Sequence, residues 1–179
     1  QYNNRYRNVQ PLAPRHLRFT VDERIDAQGK ILKKFDEKEL LPIIKKIRDE
    51  KVEAVAVCFM NSFKNASHEK RAVTFLRKHL KNCFVTASFE TLPSIRFYER
   101  VSTTTVSAFV GPIVTRYFDN LIAKLEEIRF KGSLLIMQSN GGLTTDAAAA
   151  ERPINIIESG PAGGVVGAQV LSRAKGLDR

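Results

Sequence analysis

Two hydrophobic periods alternate along this chain. Between Leu17 and Ile25 the positions Leu17, Phe19, Val21, Glu23 and Ile25 lie two apart and are mostly apolar. A period of two predicts a strand. Asp26-Ala27-Gln28-Gly29 reads as a turn and Lys30 to Phe35 as a second strand, so the pair predicts a hairpin. Asp36 is placed to cap a helix reaching Asp49, with Leu40, Ile44 and Ile47 on one face. Pro42 either kinks that helix or stands at its first position. Val52 to Phe59 is nearly all apolar, the pattern of a strand covered on both faces in a parallel sheet. Ser67 is placed to cap a helix to about Leu80 with Ala72, Val73, Leu76 and Leu80 inward, and Cys83 to Ala87 gives another strand.

Beyond Ser94 the period becomes helical over a long stretch. Ile113, Tyr117, Leu121 and Leu125 fall four apart with Val114, Phe118 and Ile122 beside them, a wide amphipathic stripe. Gly111-Pro112 is expected to split or bend this region. Leu134 to Met137 predicts a buried strand, Asn140-Gly141-Gly142 a tight loop, and Ala147 to Ala150 part of a helix that Pro153 ends. Ile154 to Ile157 reads as a strand leading into a last helix. The alternation predicts an α/β fold, a mixed sheet with flanking helices, over residues 15–179. Residues 1–14, rich in Asn and Pro, read as an extended linker.

The final helix is unusual. Ser159-Gly160-Pro161-Ala162-Gly163-Gly164-Val165-Val166-Gly167-Ala168 has one nearly side-chain-free face. Gly is costly in a helix, so this many in succession needs a reason. Either the helix packs very closely on a sheet, or it serves a domain hinge or a phosphate site, where bare N–H groups suit an anion.

Composition narrows the class. The 179 residues are 43% hydrophobic and 27% charged, an ordinary globular balance for one domain. Lys and Arg outnumber Asp and Glu 29 to 19, a formal charge of +10. No run of Lys or Arg exceeds two residues, and the charges interleave with apolar positions, which argues against a nucleic-acid surface. No apolar stretch approaches the ~20 residues of a membrane helix. The two cysteines, Cys58 and Cys83, lie in apolar runs and suit neither a zinc ribbon nor a redox pair. Reduced thiols and the lack of a signal-like segment point to the cytoplasm.

Several residues bear on chemistry. Asn140, Gly141 and Gly142 follow a strand, where bare backbone can reach a ligand; a plain turn is the alternative. Glu158 and Ser159 stand at the next loop, as a carboxylate near a phosphate-bound Mg²⁺ or as a simple helix cap. His68-Glu69 reads as structural, because one His makes no metal site. Arg100 with Ser102, Thr103 and Thr104 offers an anion-binding set; the alternative pairs Glu99 with Arg100 at the surface and leaves the Thr run to start a helix. Asp22, Glu23 and Arg24 read as exposed strand charges. No catalytic residue and no metal site emerges.

Four segments in order resemble one family. Asn65-Ala66-Ser67-His68-Glu69 is similar to its N-x-x-H-E, and Tyr98-Glu99-Arg100-Val101-Ser102-Thr103-Thr104 to its Y-E-R-x-S-T-T. Met137-Gln138-Ser139-Asn140-Gly141-Gly142-Leu143 matches M-Q-S-x-G-G-L, and Ser159-Gly160-Pro161-Ala162-Gly163-Gly164 its Gly-Ala helix. The chain thereby resembles the hydantoinase A/oxoprolinase family, which includes ATP-binding subunits of ketone carboxylases, from about Pro14 onward. The resemblance implies a partial actin-like (ribonuclease H-like) ATPase lobe whose Gly-Ala helix lies between two lobes beside the nucleotide. It implies nucleotide contacts at Asn140, Gly141, Gly142, Ser159, Gly160, Gly163 and Gly164.

The family's two Asp-x-Gly-Gly-Thr phosphate loops do not occur in these 179 residues. The resemblance therefore implies an internal piece of a larger protein that needs ATP and Mg²⁺, with the remaining lobe as partner and a hydantoinase B-type subunit as a further one. The implied activity is ATP-dependent opening of cyclic amides such as hydantoin or 5-oxoproline. An ATP-dependent ketone carboxylase subunit is the alternative, and a non-catalytic basic binding module the alternative of another class.

Overall fold

The computed structural model describes Arg5 and residues 9–176. The linker expected at 1–14 therefore lies partly outside the described residues; residues 9–14 form no helix or strand. A 3-10 turn at Arg15–Leu17 follows. Strands β1 (Arg24–Ile25) and β2 (Ile31–Lys33) pair antiparallel. The strand expected from Leu17 is thus confined to its last two residues. The turn between them is the expected one. Asp26 N–H donates to the Lys30 carbonyl at 2.9 Å, and Gly29 takes φ 89°, where a side chain is strained.

Asp36 caps a short 3-10 turn, Glu37–Glu39, by accepting from Lys38 N–H, and helix α1 (Leu40–Asp49) continues from it. Pro42 lies in the first turn of α1, where no hydrogen bond is lost. Leu40, Ile44 and Ile47 are buried as the pattern requires. Strand β3 (Ala54–Val57), helix α2 (Ser67–His79) and strand β4 (Phe84–Ala87) form a parallel β-α-β unit with Ala54 opposite Phe84. The main core lies between them, built from Phe35, Leu40, Ile44, Ile47, Val57, Ala72, Val73, Leu76, Leu80 and Val85. Ser67 is the first residue of α2 and not its cap. Asn65 Oδ1 instead accepts from Ser67 N–H at 3.0 Å.

After a single turn, α3 (Ser88–Thr91), the chain enters α4 (Phe97–Glu127), one helix of 31 residues that runs through Gly111-Pro112 without a break. Helix α4 lies against β3 and β4. It buries Arg100, Thr104, Ser107, Ala108, Gly111 and Phe118. A Cβ on Gly111 would stand 2.5 Å from the Phe84 ring. Small residues at 104, 107, 108 and 111 therefore allow the close seat. That seat rotates the expected apolar stripe partly away: Ile113 and Tyr117 are 55% and 61% exposed.

The last third comprises β5 (Leu135–Met137) antiparallel to β6 (Leu143–Thr145), α5 (Asp146–Glu151), a 3-10 turn (Pro153–Ile156) and α6 (Ser159–Ala174). The strand expected at Ile154–Ile157 is a 3-10 turn. Pro153 fixes φ and donates no hydrogen bond, so it suits the first position of a turn. Asn155 N–H then donates back to the Arg152 carbonyl at 3.0 Å. The fold is α/β, but its strands form three two-stranded ladders among the described residues, not one sheet.

A buried ionic centre joins these parts at the carboxyl ends of β3 and β4. Glu69 and Arg100 are 0% and 1% exposed, with Arg100 Nη1 4.0 Å from Glu69 Oε1. Glu69 accepts from Phe59 N–H at 2.7 Å, Phe89 N–H at 3.0 Å and the Ser88 hydroxyl at 2.7 Å. Arg100 donates to the Phe59 carbonyl at 2.8 Å, to Ser88 Oγ at 2.8 Å and to Ser62 Oγ. Ser88 thus stands between the charges, accepting from one and donating to the other. Beside this centre His68 Nδ1 meets Glu23 Oε2 at 2.7 Å, with both side chains buried. Asn61 and Asn65 each donate at 2.8 Å to hairpin carbonyls, of Ile25 and Gly29.

Glu23 is not an exposed strand charge; it is the partner of His68. Arg100 neither binds a soluble anion nor forms a surface pair, because its anion is Glu69. Glu99 pairs with Arg96 at 3.4 Å instead. Removing one partner of a buried pair strands the other charge, so Arg100→Met is expected to cost about 3–5 kcal/mol. Arg71→Ala, which breaks the exposed Arg71–Glu37 pair, is expected to cost under ~1 kcal/mol. Urea unfolding of the two variants beside the parent chain checks both, and equal losses would contradict the assignment.

Candidate functional site

The β5–β6 turn and the start of α6 form one surface. Gln138 N–H donates to the Gly142 carbonyl at 2.8 Å, Gly141 N–H to the Gln138 carbonyl at 3.0 Å, and Gly142 N–H to Asn140 Oδ1 at 2.8 Å. Gly141 takes φ 83°, which only Gly adopts without strain. A tight turn therefore needs Asn140, Gly141 and Gly142 for its own geometry.

Ser139 then ties this turn to α6. Its N–H donates to the Asn155 carbonyl at 2.7 Å, and its hydroxyl accepts from Glu158 N–H at 3.0 Å. A Cβ on Gly141 would lie 3.3 Å from Val166 Cγ2, and one on Gly163 3.8 Å from Met137 Cγ. Asn140, Gly141, Gly142, Ser159, Gly160, Gly163 and Gly164 thus share one region.

The glycines of α6 divide into two kinds. Gly163 faces Met137. Gly160, Gly164 and Gly167 have no atom within 4 Å of the Cβ each would carry. Close packing within the described residues therefore does not explain those three. Helix α6 buries no residue, and Val165, Val170 and Leu171 are 71%, 60% and 66% exposed. Glu158 occupies the cap position without a side-chain cap bond, and Ser159 is the first helical residue, not the cap. Pro161 has no N–H and Ala162 N–H donates to the Glu158 carbonyl, which leaves the N–H groups of Ser159 and Gly160 as the first-turn donors. A short, bare, positively polarised wall results, and its chemistry suits a phosphate oxygen.

The other reactive side chains are placed elsewhere. Burial pushes the Cys83 thiol up to about 11, and burial also raises that of Cys58 against the opposing pull of the Ser88 hydrogen bond and Arg100. Neither is a nucleophile near neutrality. Among the described residues no group of three or more His, Cys, Asp or Glu side chains is placed to hold a metal ion. An open cleft of about 510 Å³ runs between β4 and the end of α5, lined by Arg77, Glu90, Glu151 and Arg152. It does not include the glycine turn. Sequence reasoning missed the linking role of Ser139 and Asn155; the Ser between Gln138 and Asn140 was the available signal.

Residues 1–80 match the model of the hydantoinase/oxoprolinase N-terminal region, and residues 100–179 match that of hydantoinase/oxoprolinase. An uncharacterised protein of Methanocaldococcus jannaschii is 38% identical over 96% of this chain and 25% of its own length. Caprolactamase subunit alpha of Pseudomonas jessenii is 36% identical over 99% of this chain and 26% of its own length. The crystal structure of the ATP-dependent caprolactamase from that organism superposes with a TM-score of 0.87 at 36% identity, covering 99% of this chain and 26% of the other. A nucleotide-free acetone carboxylase structure gives 0.75 at 26% identity, covering 97% and 25%. The chain spans about a quarter of the length of these relatives. With two family models matched in order and two related structures sharing its fold, the chain belongs to the hydantoinase/oxoprolinase family.

Proposed function

We propose that this chain is an internal piece of an ATP-dependent hydrolase of cyclic amides and contributes one wall of its nucleotide cleft. One observation carries the reading. The glycine turn and the bare start of α6 are tied together by Ser139, while Gly160 and Gly164 keep open space in front of them. Backbone N–H groups of Ser159 and Gly160 then face nucleotide phosphate oxygens. Asn140, Gly141 and Gly142 hold the turn beside them, and Gly163 and Gly164 leave the approach free. Mg²⁺ accompanies the nucleotide, with Glu158 near enough in sequence to order its water shell. ATP supplies an activated phosphoryl group, which on an amide oxygen makes the ring carbon electrophilic to water. No residue of this chain is assigned a catalytic step.

The greater likeness to a caprolactamase than to an acetone carboxylase, 36% against 26% identity, favours amide opening over ketone carboxylation. The exposed face of α6 receives the remaining lobe of the longer polypeptide, and a second, hydantoinase B-type subunit completes the enzyme. Among the described residues no helix is long and apolar enough to cross a membrane. Cys58 and Cys83 are both unpaired, as suits the cytoplasm.

The substrate class is tested on the longer protein with its partner. Phosphate release from ATP is measured with caprolactam, hydantoin or 5-oxoproline, and separately with acetone and bicarbonate. Stimulation by a cyclic amide is expected; stimulation by acetone alone would replace this reading with the carboxylase one. In the same protein Gly164→Val is expected to lower ATP turnover at least tenfold with little change in thermal unfolding. Val has the better helix propensity, and among the described residues no neighbouring atom lies within 4 Å of the Cβ it would add. Unchanged nucleotide affinity and turnover would sink the proposed wall. The 179-residue chain by itself is expected to release no phosphate from ATP above background, because it carries neither Asp-x-Gly-Gly-Thr loop. Release that scales with the amount of purified chain would contradict this.

A further inference from the structure

Helix α4 and strand β4 meet through a polar layer that lies inside the chain. Along β4, Val85 and Ala87 belong to the apolar core, so Phe84 and Thr86 point to the other face, where α4 lies. Two contacts fix the level of α4 there. The Phe84 ring fills the space beside Gly111, and Ser88 Oγ, two residues beyond Thr86, accepts from Arg100 at 2.8 Å. Thr86 stands between these contacts, opposite the turn of α4 that buries Thr104, Ser107 and Ala108. Thr86, Thr104 and Ser107 are 1%, 0% and 0% exposed.

Thr104 is satisfied. Its hydroxyl donates to the Arg100 carbonyl at 2.6 Å and meets Thr91 Oγ1 at 2.8 Å. The buried hydroxyls of Thr86 and Ser107 have no hydrogen-bond partner among the described residues. A third group on the same turn lacks its usual one. Pro112 has no N–H, so the carbonyl of Ala108 loses its intrahelical donor, and Ala108 is 5% exposed. The proline ring also presses that carbonyl away, which opens the turn. Three unpaired polar groups in one dry interface are costly unless something hydrogen-bonds to them.

We propose that the α4–β4 interface binds one ordered water molecule, held by Thr86 Oγ1, Ser107 Oγ and the Ala108 carbonyl. A buried water makes about three hydrogen bonds, and this set offers that number. The water donates to the Ala108 carbonyl and to one hydroxyl, and accepts from the other. A hard cation does not suit the place, because it takes about six oxygens or more and prefers carboxylates. Arg100 Nε, also unpartnered, lies about 10 Å along α4 at 1.5 Å per residue and belongs to the Glu69 centre. The water thus bridges β4 to α4 midway between the Arg100 anchor and the Gly111 seat. This chain itself encloses these groups, so the inference depends neither on what covers its outer faces nor on the nucleotide reading.

Crystallography of the longer protein, at a resolution that shows ordered solvent, tests it. One water is expected within about 3.2 Å of all three oxygens. Thr86→Val keeps the side-chain shape and removes one partner, and the water is expected to lose most of its occupancy. In solution the two hydroxyls are expected to act together. Urea unfolding is measured for Thr86→Val, Ser107→Ala and the double variant of this chain. The double variant's change in the unfolding equilibrium constant is expected to fall at least threefold short of the product of the single changes. A direct Thr86–Ser107 hydrogen bond, an ion in place of the water, or no density between these oxygens would overturn the proposal. So would single changes that simply multiply.

Discussion

The buried Glu69 carboxylate is the constraint on which the well-packed part of the molecule depends. An ionised group cannot stay dry without full compensation. Glu69 obtains it from two backbone N–H groups, one hydroxyl and the Arg100 guanidinium. Those donors come from the loop after β3, the first turn of α3 and the N-terminal part of α4. Satisfying one side chain therefore fixes the mutual position of three segments at the carboxyl ends of the parallel strands. Phe63 and Phe97 lie 5.8 and 5.6 Å from the Arg100 guanidinium and shield the pair. The neighbouring His68–Glu23 contact and the two asparagine bonds to the hairpin extend the same anchorage to β1 and the turn that follows it.

The two halves of the chain consequently differ in character. Residues 35–87 enclose a continuous apolar core, and α4, which ends near residue 128, packs on its strands. After it, only Ala149 and Pro153 are buried among the described residues. The β5–β6 turn is held to the segment that leads into α6 by the two bonds of Ser139, to the Asn155 carbonyl and from Glu158 N–H, while Val165, Val170 and Leu171 of α6 are exposed. A surface without side chains has little to bury in its own fold, and its use lies in what approaches it. The firm half supplies a platform, through the contacts of α4 with α5 and the Pro153 turn, for the glycine turn and α6, which we propose as one wall of a nucleotide cleft.

The sequence made the local elements legible where a single period dominated. Leu40, Ile44 and Ile47, and Ala72, Val73 and Leu76, are buried as their spacing requires, because one apolar face settled each helix. The α/β class was readable from β3, α2 and β4 for the same reason. Ile154 to Ile157 was misread because apolarity alone cannot tell a strand from a turn, and Pro153 decided the outcome locally. Arg100 and Glu23 were misread because a charged residue type is exposed by default; only partners distant in sequence, Glu69 and His68, reverse that default. The glycine turn was legible as a turn, and its junction with α6 was not, since it rests on one serine hydroxyl and a backbone carbonyl.

Glu69 and Arg100 act as one unit that holds the loops after β3 and β4. Native-state hydrogen exchange at the Phe59 and Phe89 amides, the two that donate to Glu69, tests it most directly. Both amides are expected to exchange only through global unfolding in the parent chain. In Glu69→Gln both are expected to lose protection together, at every denaturant concentration below the unfolding transition. Rapid exchange of either amide in the parent chain, or loss of one without the other in the variant, would contradict the account.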